Sequence, residues 1–215
     1  MPQVTDLIIF DCDGVLVDSE RIAIRTNIAA LAEYGHTATE AEIIEQFVGK
    51  NIESIQRIVS EWVGDEHVAA WTLRCRELYY GELETSVEPV DGILEALAAI
   101  SIASCVASSG TQQKMRMTLG RTGLYDRFAG RIFSAADVAN GKPAPDLFLH
   151  AARQMGVAPQ HCVVVEDSEP GVQAARAAGM RCFGYTGGVT PAHRLAGPGT
   201  VLFDDMRKLP ALLEV

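Results

Sequence analysis

Residues 7–20 read L-I-I-F-D-C-D-G-V-L-V-D-S-E. Leu7, Ile8, Ile9 and Phe10 form a short unbroken apolar run, the pattern of a strand buried on both faces. Asp11 and Asp13 follow at once, with Gly14 directly after. A sheet interior does not accommodate bare carboxylates, so both belong at the strand's C-terminal edge. In parallel α/β sheets that edge is where ligands bind. Two acids one residue apart can divide the work. One attacks a substrate as a nucleophile, the other moves protons, and both offer oxygen to a hard cation. Gly14 lets the backbone turn sharply or approach a ligand closely. Taken alone, the triplet also fits a strand that ends in a solvated acidic turn.

The 215 residues suffice for one large domain or for one domain with an insert, and 48% hydrophobic content supports a sizeable core. A net charge of -10 argues against nucleic-acid binding. It also removes long-range steering of anions, so any bound anion must be held locally by a metal, a lysine or backbone N–H groups. Five cysteines, at 12, 75, 105, 162 and 182, form no C-x-x-C pair and are odd in number. They read as reduced thiols of a cytoplasmic protein. Strand alternation turns Cys12 into the core. The opening M-P-Q-V-T-D lacks the basic region and cleavage site of a signal peptide. The longest nearly apolar run, residues 93–107, is too short to span a bilayer and contains Glu95. No membrane partner is expected.

After Glu20 the period becomes helical. Ile24, Ile28, Leu31 and Ala32 share a face that ends at Gly35. Thr39 with Glu42 is a capping-box signature. Asn51 is placed to cap a third helix and Asp65 a fourth, which runs to about Leu83. No strand pattern interrupts residues 19–84. From Val87 onward helices and strands alternate, with strands expected at 102–107, 132–133, 162–165, 181–185 and 201–203. The expected architecture is therefore an α/β, Rossmann-like parallel sheet core, residues 1–18 and 88–215, with an inserted α-helical cap domain, residues 19–87. Two chain crossings between the parts make a natural hinge.

Polar signals mark the ends of the expected strands: Asp11 and Asp13, then Ser108-Ser109-Gly110, then Lys142 in G-K-P-A-P-D, then Glu166-Asp167-Ser168. Phosphoryl transfer needs an oxygen nucleophile, a proton carrier for the leaving group and positive charge on the nonbridging oxygens. Asp11 suits the first role, forming an aspartyl-phosphate, and Asp13 the second. Asp167, Asp11 and the backbone carbonyl of Asp13 suit Mg²⁺, which takes oxygen ligands and keeps waters and phosphate. Lys142 neutralises the cluster. Ser108 and Ser109, with the N–H groups beyond, cradle phosphate oxygens at a helix N-terminus. Asp146 is placed to cap the helix after Lys142.

This set resembles the haloacid dehalogenase superfamily, specifically its phosphatases with a helical cap after the first motif. The motif D-x-D-G-x-[LV]-x-D-[ST] spans residues 11–19, the second motif is Ser108, the third is Lys142 in K-P-x-P, and the fourth, E-D-S-x-x-G, spans residues 166–171. The resemblance covers nearly the whole chain. It implies a Rossmann-like core, Mg²⁺ and the roles above. It also implies a part for Glu166 at the metal site and a structural role for Asp18.

The expected activity is Mg²⁺-dependent hydrolysis of a small phosphorylated sugar or sugar acid, with Arg21, Lys50, Asn51 and Lys114 as candidate contacts to its organic half. A phosphomutase of the β-phosphoglucomutase type is the alternative. The mutase's cap histidine and phosphate-binding arginine fall at Ala23 and Ile52 here, which weakens it. Haloacid dehalogenation has no evident need for Asp13. A phospho-acceptor or ligand-binding module without turnover is opposed by the motif order and by the complete set of catalytic residue types.

Overall fold

A computed structural model describes residues 5–213; the M-P-Q-V segment read for a leader lies outside the described residues. The chain divides into two compact units: one runs up to Asp18 and resumes at Glu88, and the other is Ser19–Val87.

The first unit holds a parallel sheet of six strands: β1 (Leu7–Phe10), β2 (Ala103–Ser108), β3 (Ile132–Ser134), β4 (Cys162–Glu166), β5 (Arg181–Tyr185) and β6 (Thr200–Phe203). Their spatial order is β3-β2-β1-β4-β5-β6. The sheet grows outward from β1 in one direction through β2 and β3, then in the other through β4, β5 and β6. The reversal lies beside β1, so the crevice at the C-terminal ends of β1 and β4 is the switch point where α/β sheets bind ligands. Register fixes what meets there, with Phe10 opposite Val106 on one side and Val165 on the other.

All four residues of β1 are fully buried. Leu7 and Ile9 join a cluster with Cys105, Val164, Leu147, Phe148 and Val172. Phe10, with the opposite orientation, meets Phe128 edge-on at 6.1 Å between ring centroids. Cys12 is buried, as strand alternation predicts.

Eleven helices follow the chain among the described residues. In the second unit lie α1 (Glu20–Ala32), α2 (Glu40–Phe47), α3 (Ile52–Val63) and α4 (Asp65–Ser86). The first unit holds α5 (Ile93–Ala99), α6 (Gln112–Arg121), α7 (Tyr125–Phe128), α8 (Asp146–Gln154), α9 (Glu169–Ala177), α10 (Ala192–Leu195) and α11 (Leu209–Leu213). The one-turn helices α7 and α10 are too short to impose a 3.6 period on the sequence. The fold class is thus α/β, a Rossmann-like parallel core carrying a helical insertion between β1 and β2. No helix among the described residues is long and apolar enough to cross a membrane.

The helical unit has its own interior, with Leu31, Ile43, Phe47, Val59, Trp71 and Leu83 buried. Phe47 stacks on Trp62 at 5.5 Å and meets Trp71 edge-on at 6.2 Å. Thr39 and Glu42 form the reciprocal capping box, Oγ1 of Thr39 accepting from Glu42 N and Oε2 of Glu42 accepting from Thr39 N. Asn51 Oδ1 accepts from Ser54 N at 2.9 Å and caps α3. Asp65 differs from expectation. Gly64 occupies the N-cap of α4, while Asp65 is its first residue and accepts from the Ser60 hydroxyl. Asp146 is likewise the first residue of α8, behind Pro145, and accepts from Asn140 at 3.2 Å.

In the first unit, the two segments that lead to and from the insertion are paired. Asp18 N donates to Glu88 O at 2.9 Å and Val90 N to Leu16 O at 3.1 Å. Exit and re-entry of the chain are therefore tied side by side.

Candidate active site

Four loops at the C-terminal ends of the strands carry the site. Asp11 directly follows β1, its N–H donating to Val165 O at 2.9 Å. The chain then turns tightly, with Leu16 N and Val17 N both donating to Cys12 O. Gly14 makes this possible at φ +72°, where a side chain is strained, and a Cβ there would fall 1.9 Å from Asp167 Oδ2. The turn after β1 thus lies directly against the carboxylate that follows β4.

Lys142 is the centre of charge. Its Nζ lies 2.5 Å from Asp11 Oδ1 and 2.6 Å from Glu166 Oε1, and its side chain is 4% exposed. It also sits 4.8 Å from the centroid of Phe148, on the helix that follows its loop. Burial opposes its charge, but the two carboxylates outweigh that and raise its pKa. The solvated surface lysine that this loop also permits is therefore not what forms. Asp11 is pushed up to about 7, chiefly by burial and further by Glu166 and Asp13, against the pull of Lys142. The two shifts agree physically: the lysine has two anionic partners, while Asp11 shares its one cation with competing acids.

Glu166 was expected among the metal-holding carboxylates. It is fully buried and both its oxygens are committed, Oε1 to Lys142 and Oε2 to Ser168 N at 2.7 Å and Ser168 Oγ at 2.9 Å. It is the anchor of Lys142 and of the turn into α9, which is not the direct metal-holding place expected of it. Gly171 leaves the room this requires, since a Cβ there would lie 1.8 Å from Glu166 Oε1.

Ser108 ends β2 and is 1% exposed, its Oγ accepting from Gly110 N at 3.1 Å. Ser134 Oγ donates to Gly110 O at 2.7 Å and pins the same loop from β3. The cap of α6 is Thr111, whose Oγ1 accepts from Lys114 N; neither Ser108 nor Ser109 fills that position. Ser109 is exposed.

The four candidates for the organic half of a substrate separate. Lys114 lies in the sheet unit, on the first turn of α6, and pairs with Asp13 at 2.8 Å. Arg21, Lys50 and Asn51 lie in the helical unit. Arg21 is exposed on the first turn of α1, Lys50 is exposed with Nζ 3.3 Å from Gln46 Oε1, and Asn51 uses its side chain as a helix cap. The pairing of Lys114 with Asp13 had no local signal, because 101 residues and the whole insertion separate them in the chain.

No cluster of three or more His, Cys, Asp or Glu side chains forms a ready-made metal cage among the described residues. The chemistry of the donors nevertheless suits Mg²⁺, which takes one or two carboxylates and fills the rest of its octahedron with carbonyl, water and phosphate oxygen. Asp11 and Asp167 are the carboxylates on offer, held together through the Gly14 turn. Four acids, Asp11, Asp13, Glu166 and Asp167, face two ammonium groups, Lys142 and Lys114. With all four acids ionised the cluster carries two excess negative charges, which a divalent cation neutralises; burial first, and then Glu166 and Asp13, raise the pKa of Asp11.

Residues 8–185 match the family model of the haloacid dehalogenase-like hydrolases. The chain belongs to that family. It is 32% identical to 6-phosphogluconate phosphatase of Escherichia coli, over 96% of this chain and 94% of the relative. A conserved haloacid dehalogenase-like protein of Agrobacterium tumefaciens shares its structure with a TM-score of 0.88 and 39% identity, covering 98% of each chain. A hydrolase of the same family from Deinococcus radiodurans, solved with bound phosphate and sodium, superposes with a TM-score of 0.84 at 28% identity, covering 99% of this chain and 96% of that one. With these relatives, this member of the haloacid dehalogenase-like hydrolases is an enzyme of the phosphatase kind.

Proposed function

We propose that this hydrolase is a Mg²⁺-dependent phosphomonoesterase that cleaves a small phosphorylated sugar or sugar acid through an aspartyl-phosphate on Asp11. The observation that carries the reading is the buried array in which Lys142 bridges Asp11 and Glu166 at the ends of β1 and β4. A buried ion pair is weak as a stabilising device, so its retention at the sheet's switch point is better explained by chemistry than by stability.

Asp11 and Asp167, with the carbonyl of Asp13, would hold Mg²⁺, which supplies positive charge to the phosphoryl oxygens. In the first step an Asp11 oxygen attacks phosphorus. The bond from phosphorus to the leaving oxygen breaks, and a proton on Asp13 passes to that oxygen, releasing the alcohol. In the second step water attacks phosphorus and gives its proton to Asp13. The bond to Asp11 breaks, inorganic phosphate leaves, and both acids return to their starting state. Lys142 remains charged throughout and holds Asp11 in line. Ser108 and the N–H groups of its loop fix the phosphoryl group.

The relative named 6-phosphogluconate phosphatase supports a phosphorylated sugar acid as the first substrate to try. The test is phosphate release from a panel of sugar phosphates and phosphorylated sugar acids, each with Mg²⁺ and with EDTA. Mg²⁺-dependent release with one preferred substrate is the expected result. Interconversion of hexose phosphates without release would put the mutase first, and no turnover of any ester would overturn the reading.

A further inference from the structure

We propose that Lys114 is a positioning residue for Asp13, holding its carboxylate in the orientation from which the proton reaches the leaving group. The inference rests on the phosphatase reading above and assigns Lys114 to the proton carrier, whereas its sequence position suggested a contact to the substrate.

The geometry is local to the sheet unit. Lys114 Nζ lies 2.8 Å from Asp13 Oδ1, with the lysine side chain 14% exposed and the aspartate 26%. Asp13 is therefore the half-open acid of the site, in contrast to Asp11 and Asp167, which burial immobilises. A half-open carboxylate samples several rotamers unless something fixes it. The backbone of Lys114 is itself fixed, since its N–H donates to Thr111 Oγ1 at 3.2 Å and its carbonyl accepts from Thr118 Oγ1 at 3.1 Å.

Gly110 supplies the third side of the arrangement. A Cβ built there would lie 3.5 Å from Ser108 Oγ, 3.6 Å from Asp13 Oδ2 and 3.7 Å from Lys114 Cδ. The two oxygens of Asp13 are thus distinguished. Oδ1 is held by Lys114, and Oδ2 lies beside Gly110, in the loop that begins at Ser108. Proton delivery from Oδ2 to the leaving oxygen needs that orientation in the first step. The loss of about 1 Å in placement costs on the order of 10²-fold in rate.

Leaving-group dependence separates this role from a structural one. The measurement is kcat/KM for wild type, Lys114→Met and Lys114→Arg on a series of ring-substituted phenyl phosphates with Mg²⁺. This parameter reports the steps up to loss of the leaving group. Esters of acidic phenols depart without proton assistance, and esters of weakly acidic phenols need it. Lys114→Met should lose about 10–100-fold on the poorest leaving group and little on nitrophenyl phosphate. The dependence on leaving group should steepen, and Lys114→Arg should recover most of the loss. Thermal midpoints should stay near wild type.

An equal loss along the series, or none, would overturn the assignment while leaving the phosphatase standing. An absence of Mg²⁺-dependent release by the wild type from these esters and from the sugar-phosphate panel would overturn both.

Discussion

Gly171 and Glu166 are packed so closely that a Cβ on the glycine would lie 1.8 Å from Oε1 of the glutamate and 1.9 Å from its Cδ. Glu166 has nowhere to retreat, since it is fully buried with one oxygen on Lys142 and the other on Ser168. Gly171→Ala should therefore displace the glutamate and with it the lysine. We expect a loss of about 1–3 kcal/mol in stability, from overpacking, together with a large fall in kcat. Urea unfolding and phosphate release measure the two, and an alanine variant with wild-type values would contradict the packing.

Lys142→Met removes the cation from two buried carboxylates and replaces it by an apolar chain of similar reach. Breaking a buried pair from one side costs about 3–5 kcal/mol, because the remaining charges stay out of water. The cost should shrink as pH falls, since protonation of Asp11 relieves the stranded charge. Denaturation of the metal-free variant at pH 5 and pH 8 tests this, and equal losses at the two values would show that the lysine is not the counter-ion.

Asp11→Asn should abolish turnover and preserve the fold. The pH dependence of stability carries its own prediction. Burial holds the Asp11 pKa near 7 in the folded protein, above the ordinary value of 3.8, so the folded state binds its proton more tightly than the unfolded state does. That contribution is fully present below about 4 and is lost as pH rises through 7. Lys142, raised rather than lowered, does not titrate in this window. The thermal midpoint of metal-free wild type should fall relative to Asp11→Asn between pH 4 and pH 7. A constant difference would mean that Asp11 is not desolvated.

Mg²⁺ should displace that same proton. Calorimetric titration of metal-free protein at pH 6, in two buffers of different ionisation enthalpy, should give apparent enthalpies that differ in proportion to protons released. The difference should fade by pH 8, and it should be missing in Asp11→Asn. Binding without proton release at pH 6 would remove Asp11 from the ligand set.

Much of this was legible in residues 7–20. An apolar run that stops at two acids and a glycine has few physical readings, because a sheet interior excludes bare charge. The Thr39 and Glu42 capping box was legible for the same reason: both partners lie within one helical turn and need nothing else. Asp65 and Asp146 show the limit of such reasoning. A proline and a glycine beside them took the N-cap positions, and the acids became the first residues of their helices.

The sequence by itself determined the chemistry on offer, namely which acids, hydroxyls and lysines stand at strand ends, since local patterning decides where a strand stops. Tertiary structure alone decided who is paired with whom. Lys142 reaches Asp11 across 131 residues because α8, the helix after its loop, packs Leu147 and Phe148 against Leu7 and Ile9 of β1. Glu166 meets Lys142 from the end of β4, while its neighbour Asp167 lies against the Gly14 turn after β1. Lys114 meets Asp13 only because β2 lies against the other side of β1. Charge pairing in a low-dielectric crevice depends on distances between strands that sheet order sets, and no local window of sequence contains that order.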